Sequence, residues 1–234
     1  RIAVHLSGTG SSFPAGIGMT AYGGGGALNG AAGTIFRKTA AQSAGDLIID
    51  NNNVSTNVVT DVSGTAAVSL TVTDLTIRNA AKFQIDTGDA VTVTTLTGDA
   101  DDANEQLILN GGTLTTPASI TVSNLDIRIL AASTFNPSTL LTVGSGATLI
   151  ADVAHTFSGS LTIQSGGNVR HTDNSNAETF KLNLTVQGSL TIDSGGTINV
   201  DAKGFSAGNG PGGRTTNYEG AAYGGQGGNS GATT

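Results

Sequence analysis

Residues 159–169 read Gly-Ser-Leu-Thr-Ile-Gln-Ser-Gly-Gly-Asn-Val, and residues 188–198 read Gly-Ser-Leu-Thr-Ile-Asp-Ser-Gly-Gly-Thr-Ile. In a strand, Leu161 and Ile163 lie on one face and Thr162 on the other. The Gly-Gly pair favours a turn because glycine adopts a positive φ without steric cost. The two copies are offset by 29 positions, from Leu161 to Leu190. One copy has too little apolar surface to fold alone, so the repeat predicts units that stack on one another.

The composition of the 234-residue chain favours a structural protein with a weakly charged surface. It contains 35 glycines, 12 % charged residues, 4 % aromatic residues and no cysteine. Charged residues normally make up about a quarter of a chain, so Thr, Ser, Asn and Gly must cover this surface. The net charge of −7 argues against a nucleic-acid partner. The lack of cysteine excludes a disulfide framework and a thiolate metal site.

The organisation along the chain predicts three parts. Residues 1–53 contain a strand, a glycine-rich tract and return strands; residues 54–203 are short alternating segments that predict the rungs of a β-solenoid. Residues 204–234 form a second glycine-rich tract, which we expect to continue into a further module. Helical periodicity is not evident, so we expect almost no helix. No apolar run approaches the roughly 18 residues of a membrane span.

The two glycine-rich tracts share a short phrase. Ala-Tyr-Gly-Gly occurs at 21–24 and again at 222–225, which is 201 positions later. One interpretation is a long tandem unit in which glycine-rich and Thr/Val/Ile-rich parts alternate. The other is a chance likeness between two glycine-rich stretches. The chain also begins at Arg1 within a strand-like pattern, which indicates a slice of a longer polypeptide.

Several phrases together resemble the glycine-rich modules of very large bacterial surface proteins. The phrases are Arg-Ile-Ala-Val at 1–4, Met-Thr-Ala-Tyr-Gly-Gly at 19–24, Gly-Ala-Ala-Gly-Thr-Ile-Phe at 30–36, Gly-Asp-Leu-Ile-Ile-Asp-Asn at 45–51, Val-Asp-Ala-Lys-Gly at 200–204, Gly-Pro-Gly-Gly at 210–213 and Tyr-Gly-Gly at 223–225. Those adhesin-like modules are similar to right-handed parallel β-helices of the pectate-lyase-like type. The resemblance implies this architecture and a surface location. It carries no catalytic residues that transfer to this chain.

The densest acidic stretch is the candidate metal site. It comprises Asp86, Asp89, Asp99, Asp101, Asp102, Asn104 and Glu105, and the candidate ligands within it are Asp99, Asp101, Asp102 and Asn104. Oxygen ligands this close together suit Ca²⁺, which takes six to eight of them in flexible geometry. The stretch lacks the glycine and the distal glutamate of a calcium-binding loop, so the sequence favours a solvated loop over an ion site. No other cofactor is predicted.

No enzyme activity is predicted. Glycoside-cleaving sites need two carboxylates at a fixed separation, and the adjacent Asp101 and Asp102 would point to opposite faces of a strand. Lyase chemistry would require a base beside acidic metal ligands, yet Arg78, Lys82 and Arg128 occur singly. The three histidines are far apart in sequence, without a carboxylate at metal-ligand spacing.

Threonines that alternate with the aliphatic residues are predicted to face outward. They are Thr71, Thr73, Thr162 and Thr191. A face that binds ice or a mineral needs regular threonine rows. The sequence spacings of 29, and of 50 between the similar stretches at 70–77 and 120–127, are too uneven for such rows. High β-propensity and solubility explain these threonines sufficiently.

The sequence therefore predicts an all-β, right-handed parallel β-helix or solenoid with ordered glycine-rich tracts at both ends. We expect a structural or adhesive module at the bacterial cell surface or in an extracellular fibre, which assembles end to end through its sheet edges. Its expected partners are other copies or neighbouring modules, and also surface glycans. The alternative is a carbohydrate-binding or polysaccharide-cleaving β-helix domain.

Overall fold

A computed structural model describes residues 1–14, 17–62, 66–100 and 105–206. These residues form twenty β-strands and no helix, so the all-β prediction is confirmed for them. The strands, numbered along the chain, belong to four sheets. The second glycine-rich tract lies outside the described residues except for positions 204–206.

The two largest sheets, called the first and the second, each contain seven strands. The first sheet has the order β1 (Ile2–Leu6), β2 (Thr34–Thr39), β3 (Gly45–Asp50), β5 (Ser69–Arg78), β7 (Ala90–Thr97), β9 (Thr113–Thr115) and β12 (Thr134–Phe135). The second sheet has the order β4 (Thr60–Asp61), β6 (Lys82–Asp86), β8 (Gln106–Asn110), β11 (Asp126–Ala131), β14 (Thr148–Ala151), β17 (Asn168–Arg170) and β20 (Thr197–Ile198).

The two smaller sheets belong to the later part of the chain. The third sheet has the order β10 (Ser119–Val122), β13 (Leu140–Val143), β16 (Ser160–Ile163) and β19 (Leu190–Ile192). The fourth sheet pairs β15 (His155–Phe157) with β18 (Leu184–Val186). From β3 onward, consecutive strands lie in different sheets. We call each group of two or three consecutive strands that lie in different sheets and end with a strand of the second sheet a rung; the first rung is β3–β4 and the last is β18–β19–β20.

Strand pairing is parallel throughout the described sheets, with one exception: β2 pairs with β3 in antiparallel orientation. Register partners on neighbouring strands of the third sheet are separated by a similar number of positions over most of its length. Leu141 pairs with Ile120, 21 positions earlier, and with Leu161, 20 positions later. The 29-residue offset found in the sequence holds only between the last two rungs, where Leu161 pairs with Leu190. The reason is a longer connection, because residues 171–183 join β17 to β18 whereas residues 152–154 join β14 to β15.

The similarity between residues 70–77 and 120–127 is not a structural repeat. Ile77 lies in the first sheet and pairs with Ile49. Ile127 lies in the second sheet and pairs with Leu149. Both stretches alternate in the same way because each covers part of the same core, not because they occupy equivalent positions.

Register partners on the inward face of each sheet are buried and aligned. In the second sheet this column contains Leu107, Ile127, Leu149 and Val169, none more than 3 % exposed. Buried side chains from the first three sheets and from β15 form a single hydrophobic cluster. Burial of one such side chain contributes about 1.5–3 kcal/mol, so the aligned columns supply the main stabilising term.

The Gly-Gly turns of the repeated phrase have the predicted conformation. Gly166 and Gly195, the first glycine of each pair, have φ of 76° and 86°. The second glycine has a different function, since a Cβ at Gly167 would lie 2.4 Å from the carbonyl oxygen of Val143. Each pair therefore combines a left-handed turn with a close approach between neighbouring rungs.

The first glycine-rich tract folds back on itself. The amide of Gly30 donates to the carbonyl of Gly24 at 2.9 Å, and the amide of Gly33 donates to the carbonyl of Ala21 at 2.5 Å. A Cβ at Gly23 would lie 2.2 Å from the carbonyl oxygen of Gly30, so the two arms meet only because glycine is present. The described part of this tract is therefore a loop whose two arms lie in close backbone contact.

Candidate functional site

A polar cleft of about 240 Å³ lies beside the second sheet. It is lined by Asp99, Glu105, Asn124, Leu125, Asp126, Gly146, Thr148 and Arg170. Three of these residues come from neighbouring strands: Asp126 begins β11, Thr148 begins β14 and Arg170 ends β17. Parallel register places the three side chains in one region although 44 positions separate the first from the last.

The turns before β11 and β14 shape this cleft. Asn124 has a φ of 53°, and its amide donates to the carbonyl of Ser145 at 3.0 Å. A Cβ at Gly146 would lie 2.4 Å from Oδ1 of Asn124. Glycine at 146 therefore leaves room for the side-chain amide of Asn124, which lies against the neighbouring rung.

The charge at the cleft centres on Asp126 and Arg170. Their Oδ2 and Nη2 atoms are 3.9 Å apart. Burial raises the pKa of the Asp126 carboxyl above its ordinary value of 3.8, although hydrogen bonds from Thr148 and the positive charge of Arg170 oppose this shift. A carboxyl with a raised pKa keeps its proton to higher pH, and in that form it donates as well as accepts hydrogen bonds. The cleft thus has the groups needed to bind a polar ligand.

The predicted calcium ligands are only partly described. Asp99 lines the polar cleft, and its Oδ2 accepts a hydrogen bond from the amide of Asn79 at 2.9 Å. Asp101, Asp102 and Asn104 lie outside the described residues. Within the part of the chain that is described, no group of three or more His, Asp or Glu residues is placed to hold a metal ion. The calcium site therefore stays a prediction.

Two neighbours of the acidic stretch have structural partners. Asp86 accepts hydrogen bonds from Nε2 of Gln84 at 3.0 Å and from Nδ2 of Asn110 at 2.7 Å. Asp89 accepts one from the amide of Val68 at 2.9 Å. Both carboxylates therefore connect segments of neighbouring rungs.

Sequence reasoning missed Asp126, Thr148 and Arg170. Each lies alone in its own segment, without an adjacent carboxylate or a motif. What relates them is position along paired strands: Asp126 and Thr148 directly precede the register partners Ile127 and Leu149, and Arg170 lies two positions beyond Asn168, the partner of Thr148. That relation is visible only when register is known.

The first rung is covered by the first glycine-rich tract. Polar side chains of the rung bond to the backbone of the tract: Oδ1 of Asn51 accepts from the amide of Gly23 at 3.0 Å, Oγ1 of Thr56 donates to the carbonyl of Asn29 at 2.8 Å, and Oγ1 of Thr60 donates to the carbonyl of Ala32 at 2.5 Å. Ala32 and Ile35 are buried there. The antiparallel pairing of β2 with β3 also interrupts the parallel pairing of strands at this side of the molecule.

The last rung is exposed in the described part of the chain. Leu190, Ile192 and Ile198 of this rung, and Val200 just after β20, are 43–50 % exposed, whereas Leu184 and Val186 of β18 pack against the core. The register partners of the first three, Leu161, Ile163 and Val169, are at most 1 % exposed. Each of β18, β19 and β20 is also the terminal strand of its sheet. The last rung therefore presents core-type side chains together with sheet edges, a combination typical of an interaction surface.

Threonines of the third sheet form one row in register. Thr121, Thr142, Thr162 and Thr191 pair in sequence across its four strands. The expectation that the spacing is too uneven for such a row is therefore wrong, because register depends on strand pairing and not on loop length. Thr191 is exposed and Thr162 half-buried, but Thr142 is only 5 % exposed. The row is regular without being a uniformly open face.

The described residues define an all-β protein whose strands pair mainly in parallel. Comparison with protein-family models, with curated proteins and with solved structures finds no match to this chain. Within its described residues, no helix has the length and apolar character needed to cross a membrane.

Proposed function

We propose that this chain is a structural module built as a right-handed parallel β-solenoid. The support is the order of its strands: from the first rung onward, the chain returns to each sheet and adds a strand parallel to the previous one. Crossovers between parallel strands are almost always right-handed, which favours that hand here. The rungs would then wind around the single hydrophobic cluster.

The observation that carries this proposal is the unbroken register from one rung to the next. The inward column of the second sheet runs from Phe83 through Leu107 and Ile127 to Val169 and Ile198. Every step is also a set of backbone hydrogen bonds along the direction of stacking. Because each rung contacts only its neighbours, stability is a sum of nearest-neighbour terms, and the stack resists extension rung by rung.

We propose a location at the bacterial cell surface or in an extracellular fibre. The weakly charged, glycine- and threonine-rich composition supports this, as does the resemblance to glycine-rich surface modules described above. In that setting the solenoid would serve as a rigid spacer or adhesive unit, joined at its last rung to a neighbouring module or another copy.

Single-molecule stretching of the intact chain tests the structural role. A solenoid should give a series of extensions, each of one rung. At about 3.5 Å per residue, a rung of 20–29 residues releases roughly 70–100 Å. The last rung should yield first because its outer edge lies at the end of the sheets. Extension of the whole chain in one event at low force would contradict the mechanical role.

A second candidate function is carbohydrate binding in the polar cleft. The convergence of Glu105, Asp126 and Arg170 favours it, since carboxylates and a guanidinium bind sugar hydroxyls. A glycan array tests this with the native chain, Arg170→Met and the surface control Lys181→Met. Loss of a glycan signal in Arg170→Met alone would support the cleft, and no signal from the native chain would exclude it. Calorimetric titration with Ca²⁺ tests the predicted ion site at Asp99.

A further inference from the structure

A cleft of about 510 Å³ lies between the first glycine-rich tract and the outward face of the first sheet. Phe13 and Met19 line it from the tract, and Arg37, Ile48 and Arg78 line it from the sheet. We propose that this cleft binds an organic anion, namely a carboxylate carried on an apolar body such as an acyl chain. This binding site is additional to the structural role proposed above and does not depend on it.

The outward face of the first sheet is apolar at this cleft. Ile35 and Ile48 are register partners on β2 and β3. Both side chains point away from the core, because the residues next to them, Phe36 and Leu47, pack in it or against it. Ile35 is nevertheless only 1 % exposed, since the tract lies over it. The tract therefore forms the outer wall of a cleft that has an apolar floor.

Two arginines stand at opposite ends of this floor. Arg37 on β2 is the register partner of Asp46, and Arg78 on β5 is the register partner of Asp50. Asp46 and Asp50 are four positions apart on β3, which corresponds to about 13 Å along a strand. Ile48 lies midway between them. The cleft thus combines an apolar centre with a positive charge at each end.

Both guanidinium groups keep donors for a ligand. Nε of Arg37 lies 3.3 Å from Oδ2 of Asp46, and Nε of Arg78 lies 2.8 Å from Oδ2 of Asp50. Among the hydrogen bonds between described residues, none comes from an Nη group of either arginine. The Phe13 ring lies 5.8 Å from the Arg37 guanidinium and helps to hold it in place. The Nη atoms of such a fixed guanidinium can donate two parallel hydrogen bonds to a carboxylate.

The two aspartates are already occupied on both of their oxygens. Oδ1 of Asp46 accepts a hydrogen bond from Nε2 of Gln42 at 2.8 Å. Oδ1 of Asp50 accepts from Nδ2 of Asn79 and from the amide of Asn52, both at 2.9 Å. Their side chains are 13 % and 3 % exposed, whereas those of the arginines are 35 % and 42 % exposed. A ligand therefore meets the guanidinium groups rather than the carboxylates, which favours an anion.

The size and the lining of the cleft define the rest of the ligand. A volume of about 510 Å³ is typical of pockets that hold small organic molecules. A sugar would lose water from its hydroxyls against Phe13, Met19 and Ile48 without gaining partners there. An inorganic anion would satisfy the guanidinium groups but would leave these apolar side chains in water. A carboxylate on an apolar body satisfies both parts of the cleft.

Isothermal titration calorimetry on the intact chain tests the proposal with three probes. Octanoate carries the carboxylate and the apolar chain, acetate carries only the carboxylate, and octanol carries only the chain. We expect octanoate to bind at one site per chain, at least about tenfold more tightly than acetate or octanol, because only octanoate meets both parts of the cleft. Its affinity should fall as salt is added, since the arginines are partly exposed.

Variants locate the site. Arg37→Met removes a guanidinium and should weaken octanoate binding about tenfold or more. Phe13→Ala removes part of the apolar wall and should also weaken it, although both arginines remain. Lys181→Met is the control because Lys181 is 74 % exposed and lies just before β18, so its affinity should match that of the native chain. Urea unfolding checks that each variant is folded, and Phe13→Ala decides if Arg37→Met is not.

Three results would overturn the proposal. Octanol or acetate that binds as tightly as octanoate would show that the cleft does not require both an anion and an apolar body. A native chain without saturable octanoate binding would show that no such site exists. Native affinity in both Arg37→Met and Phe13→Ala would place the site elsewhere. None of these results alters the stepwise extension expected of the solenoid, so failure of this site and failure of the proposed function are distinguishable.

Discussion

Leu161 and Leu190 are register partners on β16 and β19, yet Leu161 is 1 % exposed and Leu190 is 50 % exposed. The two residues occupy the same position in the repeated phrase, but a further rung packs next to Leu161 and none of the described residues forms a rung beyond Leu190. Burial in this protein is therefore a property of the stack and not of the single unit. The exposed partner marks the point where the described stack ends.

The inward side chain of a rung should stabilise the fold far more than its outward neighbour. Leu161→Ala should lower the free energy of unfolding by about 3 kcal/mol, because it leaves a cavity in the core. Thr162→Ala, one residue further on the half-buried outer face, should cost less than about 1 kcal/mol. Urea unfolding measures both. Equal effects would mean that the strand does not alternate as described.

The second glycine of each Gly-Gly turn should tolerate no side chain. Gly167→Ala places a Cβ against the backbone carbonyl of Val143, so we expect a loss of about 1–3 kcal/mol. Gly8→Ala is the matched control, since no atom lies within 4 Å of a Cβ at Gly8. Thermal unfolding of the two variants gives the comparison. A Gly167→Ala protein as stable as Gly8→Ala would contradict the close approach between rungs.

The repeated phrase predicts its own register because the two copies are nearly identical. Leu161 pairs with Leu190 and Val169 with Ile198, as the alignment requires. The same pattern could not reveal the earlier rungs. Ile127, Leu149 and Val169 are equivalent in the structure, but any aliphatic residue fills such a column, so sequence identity is lost while the packing is kept.

The candidate sites were harder to predict for the same reason. Asp126 and Arg170 meet only through strand register, which no local motif encodes. The antiparallel pairing at the first rung was also missed. Residues 45–50 form an ordinary alternating strand, and nothing in their pattern gives the direction of the neighbour β2. Hydrophobic alternation specifies a face, whereas strand direction depends on the turn at 40–44.

The buried ion pair of Asp152 should be far more important for stability than a surface pair. Asp152 Oδ2 lies 2.7 Å from Nε of Arg128, and its side chain has no exposed surface. Arg128→Ala leaves this carboxylate buried without its cation and should cost about 3–5 kcal/mol.

The surface pair between Lys181 and Glu178 provides the control. The Lys181 side chain is 74 % exposed, so Lys181→Ala should cost at most about 1 kcal/mol. Denaturant titration at neutral pH compares the two variants. An Arg128→Ala protein within 1 kcal/mol of Lys181→Ala would show that hydrogen bonds from Thr172 suffice for Asp152.

His155 should make the stability of the protein depend on pH. Burial lowers the pKa of His155 below its ordinary value of 6.5, although the hydrogen bond from Nε2–H to the Phe135 carbonyl opposes the shift. The unfolded chain therefore binds this proton more readily than the folded one. Stability should fall as pH drops below 6.5 toward the lowered pKa, and should be retained above 6.5.

His155→Gln removes this titrating group and should flatten that part of the profile. His5→Gln, at an exposed position on β1, is the matched control and should keep it. Unfolding free energies between pH 5 and 8 give the comparison. A native chain that becomes more stable below pH 6.5 while His155→Gln does not would contradict the assigned burial.

Cysteine cross-linking across the third sheet tests the parallel stacking of rungs most directly, because the chain contains no cysteine of its own. Thr162 and Thr191 are register partners on adjacent strands, about 5 Å apart, which is within disulfide range. Thr121 and Thr191 lie on the first and last strands of the same sheet, about 14 Å apart. Under mild oxidation, Thr162→Cys/Thr191→Cys should form an intrachain disulfide and Thr121→Cys/Thr191→Cys should not. A free 162/191 pair, or a disulfide between 121 and 191, would contradict the stacked parallel fold.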